Sequence, residues 1–167
     1  MADSKIENVF GALALAVTDA LQRNAQGEAP EPGVATAAIT LMAHVPGLSI
    51  EKLRRALSLS HSGAVRLVDR LVADGLAVRV AAPDDGRAVA LRLTGLGETS
   101  CAAILSARQD GLASALAILS AEELRQFGEL AAKILRGLVG SEDHAYRFCR
   151  LCNNTICLDC PVDAALA

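Results

Sequence analysis

Apolar residues in the opening stretch recur at helical spacing. Ile6, Val9, Phe10, Leu13, Val17, Ala20 and Leu21 form one stripe. The spacing predicts a helix over 4–26, with Ser4 and Glu7 at capping-box distance. The segment Gly27-Glu-Ala-Pro-Glu-Pro-Gly33 breaks it. A second helix is expected over 34–44, ending at Pro46-Gly47. A short helix with a serine cap follows over 49–57, then a turn at Leu57-Ser-Leu-Ser60. The next helix covers 60–74, capped by Ser60 and stopped by Gly75 at its C′ position. Two short helices joined by a tight turn make a helix-turn-helix.

The pattern then changes period. Ala77-Val-Arg-Val-Ala81 and Arg87-Ala-Val-Ala-Leu-Arg-Leu93 are β-rich, and Pro83-Asp-Asp-Gly86 lies between them as a turn. A hairpin directly after a helix-turn-helix is what a winged helix requires. Two more helices are expected over 95–119 and 121–139, the second opened by a capping box of Ser120 and Glu123. That helix places Leu124, Phe127, Leu130, Ile134, Leu135 and Leu138 on one side. The expected fold is mainly α: a winged helix-turn-helix with a two-stranded wing, flanked by N- and C-terminal dimerisation helices. The corresponding regions are 1–30, 31–94, 95–140 and a cysteine-rich tail at 141–167.

Composition agrees with helices. The 167-residue chain is rich in Ala and Leu, with three Phe, one Tyr and no Trp. No long uncharged apolar run appears, so no membrane span is expected. The N-terminus lacks a signal peptide's basic flank and apolar core. A cytoplasmic location is expected, where cysteines serve as free thiols, metal ligands or redox sensors more often than as structural disulfides. Net charge is −3, but it is unevenly spread. Residues 49–92 hold eight Lys/Arg against five Asp/Glu, and the remainder eight against fourteen. The positive excess falls on the helix-turn-helix, where it favours a nucleic-acid partner.

On the helix over 60–74, Ala64, Leu67, Val68 and Leu71 share the face expected to be buried. The opposite face carries Ser62, Arg66 and Asp69, with Val65 and Arg70 at its margins. Small side chains let such a helix approach base edges, and Arg66 can make two hydrogen bonds to guanine. Ser60, His61 and Ser62 lie in the first turn, where the helix terminus attracts phosphate. Asp69 would repel phosphate unless an arginine neutralises it. The alternative is an ordinary solvated helix. In the turn of the hairpin, Arg87 can enter a minor groove with Asp85 orienting it.

The segment Leu57-Ser-Leu-Ser-His-Ser-Gly-Ala-Val-Arg-Leu-Val-Asp-Arg-Leu-Val-Ala-Asp-Gly-Leu76 closely resembles the recognition-helix region of the MarR family. Pro83-Asp-Asp-Gly-Arg-Ala-Val-Ala-Leu-Arg-Leu-Thr-Gly-Leu-Gly97 resembles that family's wing and its Leu-Thr-x-x-Gly exit. The resemblance implies a triangular homodimer joined by the first and last two helices, reading a pseudo-palindrome in double-stranded DNA. It implies repression or activation of nearby genes, altered by a small-molecule effector. By position, it puts Ser62 and Arg66 on recognition-helix contacts and Asp85 and Arg87 on the wing pair. Gly63, Val65 and Gly86 depart from the family's more polar pattern.

The tail contains Cys149-Arg-Leu-Cys152-Asn-Asn-Thr-Ile-Cys157-Leu-Asp-Cys160-Pro, two C-x-x-C pairs four residues apart. Four thiolates in tetrahedral array suit structural or redox-labile zinc, with Cys149, Cys152, Cys157 and Cys160 as ligands. The alternatives are an iron–sulfur cluster, suggested by the final Cys-Pro, a thiol–disulfide sensor, and inert thiols. Cys101 reads as a small core residue and His144 as a surface side chain. His44 and His61 have no ligand-like neighbours in sequence. No serine–histidine–carboxylate set, phosphate loop or His-x-x-x-His pair appears, so an enzyme is not expected. A thiol oxidoreductase using the C-x-x-C pairs is the alternative, without the βαβ context such a fold needs. A winged helix that binds only protein is a third reading.

Overall fold

The chain's most apolar helix lies at the centre of its core. Helix α2 (Val34–His44) buries every residue from Ala35 to Met42, as a helix apolar all round must. Its buried Thr40 hydroxyl donates to the Thr36 carbonyl at 3.1 Å. The structure, a computed structural model, describes residues 4–26, 33–82, 89–157 and 159–166. Before α2 comes α1 (Ser4–Gln26). After it come β1 (Leu48–Ser49), α3 (Ile50–Ala56), α4 (His61–Ala73), β2 (Ala77–Ala81), β3 (Val89–Leu93), α5 (Gly95–Leu116), α6 (Ala121–Leu138) and α7 (Glu142–Cys149). A 3₁₀ turn, Asp163–Ala165, follows. No described helix is long and apolar enough to cross a membrane.

The expected winged helix-turn-helix is present, its two wing strands joined by a third strand that the spacing did not announce. The sheet has three antiparallel strands in the order β1-β3-β2. Leu48 pairs with Leu91 and Ser49 with Ala90 on one side of β3, while Ala77 to Ala81 pair with Leu93 to Val89 on the other. A two-residue strand has no alternation to read, and Ser49 also caps α3, its side chain accepting from the Lys52 N–H. The core gathers Ile39, Leu41, Met42, Leu53, Leu67, Val68, Leu71, Leu91 and Ile104 from α2, α3, α4, β3 and α5. Cys101 is buried in it, as its Ala-rich surroundings suggested.

Helix α5 ends at Leu116, three residues short of the expected boundary. The serine–glutamate capping box at Ser120 and Glu123 is formed in full. Helix α7 was not foreseen. Ser141 caps it by accepting from the His144 N–H, and Ala145 is its one buried residue.

The Leu-Thr-x-x-Gly exit has a mechanical basis. Gly75, at φ 72°, closes α4 with the paired bonds Leu76 N–H to Leu71 and Gly75 N–H to Val72. The Thr94 hydroxyl donates to the Gly75 carbonyl at 2.6 Å and accepts from the Gly97 N–H, joining the end of α4 to the start of α5. A Cβ on Gly97 would overlap the Leu76 carbonyl oxygen. Gly97→Ala is therefore expected to lower unfolding stability by about 1–3 kcal/mol, since a well-packed backbone has little room to yield. Urea denaturation checks this; an unchanged midpoint would refute it.

Candidate nucleic-acid interface

Helix α4 owes its position to its buried face. Ala64, Leu67, Val68 and Leu71 are the buried residues, the four expected from the spacing. The face turned outward carries exposed His61, Ser62, Arg66, Asp69 and Arg70. The N-terminus is held by Ser60, whose Oγ accepts from the Gly63 N–H at 3.1 Å and lies 3.3 Å from the Ser62 Oγ. Ser60 therefore serves first as a cap, leaving His61, Ser62 and Arg66 as the outward groups of the N-terminal half. Arg66 borders a shallow concavity with Leu59, Gly63, Asp69 and Arg70. Asp85 and Arg87 lie outside the described residues.

Two ion pairs adjust the charge of this surface. Asp69 is bound by Arg79 of β2 at 2.7 Å, so the carboxylate on the outer face of α4 is met by a guanidinium from the sheet. Arg79 was not singled out from the sequence. Its signal was an opposite charge placed just beyond the tight turn that ends α4. In α3, Arg54 forms a two-pronged pair with Glu51, at 2.8 and 2.6 Å, and also donates to the Leu59 carbonyl. The Arg54 guanidinium holds the Glu51 carboxyl below its usual range.

The turn joining α3 to α4 contains Ser58 at φ 54°, an unusual conformation for a residue with a side chain. Arg147 of α7 donates to the Ser58 Oγ at 2.9 Å. Lys52 and Arg55 of α3 face Glu142 and Asp143 of α7, at 3.6 and 3.8 Å. The Lys52 ammonium also sits 5.8 Å from the centre of the Tyr146 ring. Burial, aided by a hydrogen bond to Glu142, pushes the Tyr146 hydroxyl up to about 12. The cysteine-rich tail thus rests directly against the helix-turn-helix.

At the end of α7 and beyond it, Cys149, Cys152, Cys157 and Cys160 line one cavity. Cys149 and Cys152 are near enough to interact, as are Cys157 and Cys160, and the Cys152 Sγ lies 3.9 Å from the Phe148 carbonyl oxygen. The interaction within the first pair lowers the Cys152 thiol and raises that of Cys149. Among the described residues, no group of three or more His, Cys, Asp or Glu side chains stands at metal-holding geometry. His44, from the end of α2, lines the same cavity. Burial lowers its pKa, and its Nε2 is buried without a hydrogen-bond partner. Nothing near His44 in sequence announced this neighbourhood. His144 is exposed, and its Nδ1 accepts from the Gly140 N–H at 3.3 Å.

The MarR family model matches residues 32–88. No curated protein matches the chain significantly in sequence. Among solved structures, the chain is similar to a MarR family protein from Bacillus stearothermophilus, at 24% identity and a TM-score of 0.72, covering 81% of this chain and 94% of that one. It is similar to the reduced form of MarR from E. coli, at 22% identity and 0.63, covering 75% and 95%. It is also similar to CouR from Rhodococcus jostii RHA1, a structure bound to p-coumaroyl-CoA, at 18% identity and 0.60, covering 77% and 90%.

Proposed function

From the match of residues 32–88 to the MarR family model and the similarity of the fold to MarR-family structures, we propose that the chain is a homodimeric, cytoplasmic transcription regulator of that family. It reads a two-fold symmetric site in double-stranded DNA with α4 of each subunit. The observation that carries this reading is the outer face of α4. Arg66 stands exposed beside the capped N-terminus, and the carboxylate that would repel phosphate is already neutralised by Arg79. An arginine free to fork onto a guanine and a helix N-terminus facing phosphate are the two elements of direct readout and positioning. Dimer formation is supported by α6, which has no buried residue of its own yet carries an apolar stripe. The thiol-oxidoreductase alternative gains no support from this fold.

Selection from a pool of random duplexes tests the proposal. Enrichment of a palindromic site bound by two subunits is the expected result. Recovery of unenriched sequence would contradict it.

The Asp69–Arg79 pair gives a narrower prediction. Both side chains are partly exposed, so Arg79→Ala is expected to change folding stability by less than about 1 kcal/mol. It uncovers the Asp69 carboxylate, however, and DNA binding should weaken by roughly three- to tenfold through like-charge repulsion. Adding Asp69→Asn should recover much of that loss. A filter-binding titration of both variants checks this, and no recovery in the double variant would refute the neutralising role.

A further inference from the structure

The tail does more than end the chain. Helix α7 has eight residues, too few to persist alone in water. Its polar contacts with α3 and Ser58 are exposed ion pairs, one hydrogen bond and the Lys52–Tyr146 contact, each individually weak, and its apolar anchorage is limited to buried Ala145 and half-buried Tyr146. At its last residue and just beyond it stand the four thiols around one cavity, with Val162 buried beyond them.

We propose that Cys149, Cys152, Cys157 and Cys160 bind one zinc-class divalent ion, and that this ion pins α7 against α3 and the turn that precedes the recognition helix. The donor set is the one such an ion prefers: four soft sulfurs, two from each C-x-x-C turn. In the structure the thiols line the cavity as two neighbouring pairs rather than a closed tetrahedron. Closure requires rotation of the cysteine side chains and, on binding, release of one proton from each thiol. Zinc with four thiolates carries two net negative charges. Arg108 and Arg150 lie close enough to Cys152 to act on it electrostatically, and the Arg108 Nε is buried without a partner. These two cations offset that charge. His44, with its unpartnered Nε2, brings the end of the central helix to the same cavity, so the cavity that would hold the ion lies between the tail and the core of the reading head.

The ion's effect on DNA rests on the regulator reading above; the site itself does not. The full chain, purified without chelators and without oxygen, should contain about one zinc per subunit by elemental mass spectrometry. Cobalt(II) added to metal-free protein should give the thiolate charge-transfer and tetrahedral ligand-field bands of a four-sulfur site. Cys152→Ser with Cys157→Ser should lose both signals. Hydrogen exchange of 142–149 and 57–60 should accelerate when zinc is removed, while β3 keeps its protection. Iron with sulfide, two disulfides without metal, or exchange indifferent to zinc would each overturn the inference. If zinc binds as described but no DNA site is selected, the regulator reading fails and the metal site stands. If a DNA site is selected but the protein binds no zinc, the regulator reading stands and the metal site fails.

Discussion

Replacing Phe127 and Leu130 of α6 with aspartate is expected to convert a dimer into a monomer and to weaken binding to a two-fold DNA site by roughly a hundredfold or more. Within one subunit these side chains are 40% and 60% exposed, and Leu124, Ile134 and Leu138 beside them are similarly open. On α1, Ile6, Val9, Phe10 and Leu13 are exposed as well. Apolar stripes of this extent on a folded chain mark an interaction surface. Carboxylates placed at its centre would be buried without partners, which is strongly unfavourable. Because α6 has no buried residue within the subunit, the substitutions leave the winged-helix core untouched. Circular dichroism should therefore be unchanged while sedimentation equilibrium reports half the wild-type mass. A variant that remains dimeric would place the subunit contact elsewhere.

Arg66→Ala is expected to weaken binding to the selected site by roughly ten- to a hundredfold, with little loss on random duplex. Arg66 is exposed, so truncation should leave stability nearly unchanged. Arg66→Lys keeps the charge but loses the fork, and should restore affinity more than base preference. Equal losses on selected and random DNA would mean that Arg66 touches phosphate only. Competition titrations with both duplexes separate the two cases.

The helix-turn-helix was legible because its boundaries are written locally. Ser60 and Gly75 supply the cap and stop of α4, and the spacing of Ala64, Leu67, Val68 and Leu71 fixes which face is buried. The Leu-Thr-x-x-Gly exit was legible as a pattern, but the close approach of Gly97 to Leu76 that requires it was not. What escaped the sequence is non-local or short. Strand β1 has two residues and exists only through its pairing with β3. Helix α7 is short, and its place depends on α3, far earlier in the chain. The neutralisation of Asp69 by Arg79 depends on how the turn after α4 aims β2. His44 meets the cysteines only because α7 folds back onto the core. Each of these lies in tertiary packing, to which periodicity is blind.

The central claim is that α4 reads base sequence. Its most direct test is the affinity of the wild-type chain for the selected palindrome against a scrambled duplex of the same composition, across a range of salt concentrations. A preference of roughly 10³ or more for the palindrome, with affinity for both falling as salt rises, is the predicted result. Equal affinity for the two duplexes at every salt concentration would contradict it.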